Sequence, residues 1–447
     1  MNPITHTGLP PGPKGTIIGG SLHAFMTRRL DFFLDVARTY GDLASFRFGP
    51  RRIFLASHPD LIEQVLLTDA KYYIKHFGAR MYMPVLGKGL VTSEGDFWLR
   101  QRKLSQPAFL KSRVHSYAPM MGELTRKMVD NWKPGERVDI HFEFSSLTSA
   151  IALKTLFGLD DHEDRETFVQ ALRGAFFVLS AKFRSLVRVP LWVPTSRNLK
   201  LKRAIAHLDR VLDGFIQSGR ARKEPGNDLL SRLIHAEDEN GQKMTDRQLR
   251  DEAMTLYLAG HETTALTLSW SWLLLAQHPR VEAKLVAEWK RVLDGRTPTP
   301  EDLPNLPYTD AVLTEAMRVY PPVYLIGREA TCDLELGGYR VKCGTTIFMS
   351  QWANHRDPRY FTDPEKFIPE RWEDGLAKRL PKYAYYPFGG GPRVCIGNTF
   401  ALMEAAILLA TVGQRYKFTL AADAVIDFNP QITLLPLYGI PAVLELR

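Results

Sequence analysis

Tyr386-Pro-Phe-Gly-Gly-Gly-Pro-Arg-Val-Cys395-Ile-Gly-Asn-Thr-Phe-Ala-Leu-Met-Glu404 is the stretch on which the reading of this chain turns. Its first half is too rich in glycine and proline to be helix or strand. Its second half, with Phe400, Ala401, Met403 and Ala405, has the apolar spacing of a helix. Cys395 therefore sits in a loop just before a helix N-terminus, where unpaired backbone N–H groups and a partial positive charge favour a thiolate. Arg393 adds a full positive charge two residues earlier. Gly389, Gly390, Gly391 and Gly397 leave no side chain between this loop and a flat ligand.

Composition alone would leave Cys395 as a small apolar residue in a tight turn. The ordered set Phe388, Gly391, Arg393, Cys395 and Gly397 matches F-x-x-G-x-R-x-C-x-G at every specified position. In this the chain resembles the cytochrome P450 family, whose haem-thiolate signature this is. The resemblance implies a mainly α fold with a smaller β part, a single large domain over residues 21–447 behind a proline-rich lead-in at 1–20, no fused reductase, and a long central helix over haem b (iron protoporphyrin IX). It makes Cys395 the axial metal ligand, with Phe388, Gly389, Arg393 and Gly397 around the cofactor.

A second motif lies inside the longest helical stretch. Thr245 and Gln248 form a capping-box pair, and His278-Pro279 ends the helix, giving about 48 Å at 1.5 Å per residue. At its centre stands Ala259-Gly260-His261-Glu262-Thr263-Thr264. Glu262 in an apolar helix is expected to be buried and costly unless hydrogen-bonded or wetted. Gly260 lets a ligand approach the backbone at some expense in helix stability, and Thr263 can bond back to a carbonyl and loosen the turn. The family's (A/G)-G-x-(D/E)-T motif matches Ala259, Gly260, Glu262 and Thr263, and implies that Glu262 and Thr263 relay protons during dioxygen activation.

Trp98 and Arg102 are four residues apart on a helix and share a face, a pairing suited to a carboxylate. In the family W-x-x-x-R contacts a haem propionate. Some relatives carry His at the place of Gln101, so the departure here removes a possible further contact. Arg328 resembles another propionate partner. Glu315-x-x-Arg318, on a helix stopped by Pro321-Pro322, matches the E-x-x-R pair that meets an arginine of a later segment, here Pro369-Glu370-Arg371-Trp372. That cluster is read as structural.

In chain order, Leu9–Gly15 is an extended, proline-stiffened lead-in. Helix is expected near Phe32–Tyr40, and Ala44–Phe48 with Ile53–Ala56 around Gly49-Pro50 reads as a β-hairpin. Residues 71–95 have neither period and form an aromatic-rich irregular loop, which in the family roofs the substrate pocket. Ala175–Leu191, with Phe176, Phe177, Phe183 and Leu186, corresponds to the family's mobile lid. Val323–Ile326 is expected along the substrate cavity. Ile432–Leu446 is expected to close the chain as a hairpin turning near Leu437-Tyr438-Gly439.

Hydrophobic residues at 45% and charged ones at 24% are ordinary for a soluble globular protein. Cys332, Cys343 and Cys395 show no C-x-x-C spacing, which excludes a zinc site or a disulfide framework and points to a reducing compartment. Residues 1–20 hold no run able to span a bilayer and no signal-peptide core. This is expected of a cytoplasmic, bacterial-type enzyme without a transmembrane anchor, and equally of a chain relieved of its anchor. The formal charge of +9 has no basic tail behind it, so nucleic acid is not the expected partner. An acidic electron donor is: ferredoxin or flavodoxin with its reductase, drawing on NAD(P)H and docking transiently on a monomer.

The expected activity is hydroxylation of a lipophilic small molecule, a fatty acid, terpenoid or carotenoid. Ile53 stands where some fatty-acid-hydroxylating relatives place a basic anchor, which argues against a short fatty acid. A peroxide-using haem-thiolate enzyme and a haem-thiolate sensor are the alternatives. Neither needs the Glu262–Thr263 pair.

Overall fold

The computed structural model describes residues 6, 8–158, 172, 189–190, 192–224 and 226–447. Phe176, Phe177, Phe183 and Leu186, expected to belong to a lid, lie outside the described residues. The chain forms two compact units: residues 1–77, 121–145 and 263–447 make the first, and residues 78–120 and 146–262 the second.

The first unit holds the sheets. Strands Leu43–Phe48 and Arg51–Ala56 pair antiparallel in the register Leu43↔Ala56, turning at Gly49, whose φ of 57° is the left-handed conformation that glycine tolerates. Arg51–Ala56 then pairs in parallel with Thr346–Met349, which pairs antiparallel with Ile326–Ala330. The last partner, Tyr73–Lys75, lies inside the stretch expected to be irregular. Three residues are too few to show a period, and the neighbouring short helices Phe77–Arg80 and Met83–Leu86 hide it further. Ile53 is completely buried in this sheet.

The C-terminus departs from the expected hairpin. Leu434–Pro436 pairs with Phe428–Pro430, whereas Pro441–Leu446 lies between Tyr416–Leu420 and Arg137–Asp139 in a separate sheet. Gly439 turns the chain between the two at a φ of 76°, and a Cβ there would lie 2.2 Å from the Asp139 carboxylate. Asp139 in turn accepts the backbone N–H groups of His141 and Ile440 at 2.9 Å each. A carboxylate distant in sequence thus directs the turn, and local pattern does not reveal it.

Helix Pro307–Val319 carries the Glu315–Arg318 pair, and both side chains are wholly buried. Arg318 grips Glu315 through Nε and Nη2 at 2.8 Å each, while Arg371 Nε and the Trp372 indole reach the same carboxylate at 2.9 and 2.8 Å. The cluster foreseen from E-x-x-R is therefore formed. Removing one partner of such a buried pair typically costs about 3–5 kcal/mol.

The second unit is helical. It contains Gly95–Ser105, Lys111–Ser116, Ser196–Arg220, Leu229–His235 and the first half of the long helix Asp246–Gln277, whose second half belongs to the first unit. The capping box is present in both directions: Thr245 N–H donates to Gln248 Oε1 at 2.8 Å and Gln248 N–H to Thr245 Oγ1 at 3.3 Å. Among the described residues no helix is long and apolar enough to cross a membrane.

Candidate active site

Cys395 lies where the sequence places it, exposed in a loop that enters the helix Asn398–Gly413 through Gly397. The loop is closed on itself. Cys395 N–H donates to the Phe388 carbonyl at 3.1 Å, Val394 N–H to Gly391 at 3.1 Å, and Gly389 N–H to Tyr386 at 3.0 Å. Phe388, Gly389, Arg393, Cys395 and Gly397 are thus brought together.

The loop also rests on neighbours that dictate its glycines. A Cβ on Gly391, whose φ is 64°, would lie 1.7 Å from the Leu66 carbonyl oxygen. That carbonyl belongs to a π-helical turn, Gln64–Thr68, closed by Asp69 N–H donating to the Gln64 carbonyl at 2.8 Å. A Cβ on Gly390 would lie 2.2 Å from the Tyr383 ring. The first contact could not be inferred locally, because Leu66 is more than three hundred residues away in sequence, whereas Tyr383 is seven residues before Gly390.

The long helix carries the second motif. Asp251–Tyr257 and Thr264–Leu275 are buried, but Leu258–Thr263 is partly accessible, with Ala259 exposed. Glu262, expected to be buried unless hydrogen-bonded or wetted, is half-buried. A Cβ on Gly260 would meet no heavy atom within 4 Å.

Side chains also reach several carbonyls at this point. His261 Nδ1 lies 3.0 Å from the Tyr257 carbonyl, Thr148 Oγ1 donates to the His261 carbonyl at 3.0 Å, and Thr267 Oγ1 to the Thr263 carbonyl at 3.0 Å. The α-helix stays continuous through these positions.

Trp98 and Arg102 lie on the helix Gly95–Ser105, the indole buried and the guanidinium half-buried. Between them Gln101 is completely buried and donates from Nε2 to Glu252 Oε1 at 3.3 Å. Its task is within the protein, which accounts for a glutamine at this place. Arg328 is buried in the strand Ile326–Ala330, with Nη1 donating to the Gly327 carbonyl at 3.1 Å.

Among the buried acids that escaped the sequence reading are Glu404 and Glu252. Burial pushes the Glu404 carboxyl, nine residues after Cys395, up to about 8, with the Thr264 hydroxyl opposing the rise. Burial also pushes Glu252 up to about 7, against the hydrogen bonds from Leu90 and Gln101. Glu404 could have been suspected, since it falls on the apolar helix after the cysteine loop.

The cytochrome P450 family profile matches residues 10–439. The chain belongs to the cytochrome P450 family. It is accordingly a cytochrome P450 monooxygenase, an oxidoreductase of a haem-binding family. This cytochrome P450 is 36% identical over 439 residues to cyclooctatin synthase of Streptomyces melanosporofaciens, covering 96% of this chain and 94% of that one. It is 37% identical to cyclooctat-9-en-7-ol 5-monooxygenase of the same organism, over 92% and 89% of the two chains. Pentalenene oxygenase of Streptomyces avermitilis is 33% identical, over 95% and 94%.

Among solved structures, a cytochrome P450DA heme domain superposes with a TM-score of 0.89 at 26% identity, over 98% of each chain. The retinoic acid bound cyanobacterial CYP120A1 superposes at 0.86, with 26% identity over 98% of this chain and 99% of that one. The mainly α architecture with its smaller sheets and long helix is the P450 fold.

The residues present in this cytochrome P450 fit a haem. An exposed thiol stands in a loop held by its own backbone hydrogen bonds, entering a helix N-terminus through Gly397.

Proposed function

We propose that this cytochrome P450 hydroxylates a lipophilic, terpenoid-type small molecule with electrons from separate partners. When bound, haem b supplies the iron centre that activates dioxygen and transfers one oxygen atom to a C–H bond. Cys395 holds that iron as a thiolate, favoured by the helix N-terminus after it and by Arg393. Phe388, Gly389 and Gly397 shape the loop around the macrocycle. Trp98, Arg102 and Arg328 serve its propionates through charge-assisted hydrogen bonds.

The observation that carries this reading is the accessible Leu258–Thr263 stretch in an otherwise buried helix. Gly260 admits the ligand to the backbone. Glu262, on the same stretch, exchanges protons with solvent at its carboxylate, and Thr263 passes them on at Oγ1. The domain organisation proposed with this reading is a lead-in over 1–20 followed by an oxygenase domain over 21–447.

The terpenoid class is supported by the names of relatives that the chain matches almost from end to end, cyclooctat-9-en-7-ol 5-monooxygenase and pentalenene oxygenase. The formal charge of +9 supports an acidic donor, a ferredoxin or flavodoxin reduced from NAD(P)H in the cytoplasm. The form proposed for this docking is the monomer.

The decisive experiment is a carbon monoxide difference spectrum of the reduced protein, then NADPH-driven turnover with surrogate ferredoxin and reductase. A thiolate-type band in the wild type, absent in Cys395→Ser, is expected. Thr263→Ala keeps the band but diverts reducing equivalents to peroxide. An imidazole-type spectrum in the wild type, or unchanged coupling in Thr263→Ala, overturns the corresponding assignment.

A further inference from the structure

Three consecutive charged residues of the long helix, Arg250, Asp251 and Glu252, are only 1%, 4% and 0% exposed. Successive helical residues diverge by about 100°, so no single face buries all three and each needs its own partner. Withdrawing each charge from water costs several kcal/mol before any partner is counted. Nothing in the proposed chemistry uses them.

Their partners converge on one segment of the same unit. Arg250 Nη1 donates to the Val85 carbonyl at 2.7 Å, and its Nε to Asp209 at 2.6 Å. Asp251 Oδ2 accepts Lys88 N–H at 2.7 Å. Glu252 Oε2 accepts Leu90 N–H at 3.0 Å, its other oxygen being held by Gln101.

The segment is built to lie against the helix. A Cβ on Gly87, whose φ is 61°, would lie 2.0 Å from the Asp251 carboxylate, and one on Gly89 would lie 2.1 Å from Thr255 Oγ1. Lys88 alone between them carries a side chain. Along the helix Glu252 and Ala259 are seven residues apart, hence on one face about 10 Å from each other. Ala259 is the exposed residue of the accessible stretch.

We propose that Arg250, Asp251 and Glu252 form an anchor that shapes the Val85–Leu90 segment, and so sets the affinity for bulky lipophilic ligands at the stretch two helical turns away. They are positioning residues. The proposal rests on the haem-thiolate reading for the site whose affinity it tunes.

The test compares wild type with Asp251→Asn and Glu252→Gln as holoenzymes. Two iron-binding probes are titrated by their Soret shift: clotrimazole, bulky and lipophilic, and imidazole, which needs only the metal. Amide hydrogen exchange is monitored over residues 85–92. Gly89→Ala, which pushes the segment off the helix and leaves the charges in place, serves if the acidic variants do not accumulate.

Faster exchange at Lys88 and Leu90 is expected, with clotrimazole binding weakened about tenfold or more, while imidazole binding and the carbon monoxide band stay unchanged. Equal weakening of both probes, exchange rising along the whole long helix, or no change in either readout would overturn the anchor. A wild type without the thiolate-type band would remove the haem reading instead, and exchange at Lys88 and Leu90 would still decide whether the anchor exists.

Discussion

The His355 imidazole accepts the backbone N–H of Tyr386 at 3.1 Å, while the His355 carbonyl receives Arg318 at 2.8 Å. The wholly buried Glu315–Arg318 pair is thereby tied to the start of the cysteine loop through one neutral ring. Burial, with Arg318 and Arg356 close by, holds the imidazole well below its ordinary pKa, so Nε2 keeps its lone pair across the working range. His355→Phe leaves the Tyr386 N–H without this acceptor. A loss of about 1–3 kcal/mol is expected in the urea midpoint, with part of the carbon monoxide band moving from the thiolate position.

Glu315→Gln leaves Arg318 buried beside a neutral amide. The folded state should lose about 3–5 kcal/mol, read by denaturant unfolding or as a failure to accumulate. Haem added to refolded protein should not restore the midpoint, because the defect lies in the protein frame.

Gly260→Ala separates stability from function. The added methyl meets nothing within 4 Å, so the helix should gain up to about 1 kcal/mol and the melting temperature should rise slightly. Binding of bulky ligands, measured by the spin-state or Soret shift, should weaken, because the methyl occupies the approach to the backbone.

The Glu404 carboxyl has a folded pKa of about 8 against an ordinary 4.5. Such an acid holds a proton that the unfolded chain releases. The folded state is therefore not penalised below the unfolded pKa, and it loses stability as pH rises from about 4.5 to about 8. Glu404→Gln removes this dependence. Thermal unfolding of the two proteins should nearly coincide at about pH 5 and separate by about 5 °C at about pH 9, the variant being the more stable.

The features legible in sequence were those whose cause is local. The Thr245–Gln248 capping box, the Gly49-Pro50 turn, the glycine-rich cysteine loop and the i, i+3 spacing of Glu315 and Arg318 each depend on residues within one turn or motif. The features that escaped depend on distant chain. Pro441–Leu446 pairs with Arg137–Asp139 and Tyr416–Leu420 rather than with its sequence neighbour. The burial of Arg250, Asp251 and Glu252 depends on Val85–Leu90, far away in sequence.

The π turn at Gln64–Thr68 couples the cysteine loop to residue counting in a remote part of the chain. Deleting any one residue there would let an ordinary 3.6-residue turn form, rotating the downstream backbone by about 100° and withdrawing the Leu66 carbonyl from Gly391. This short segment should tolerate exchange of side chains far better than a change in its length.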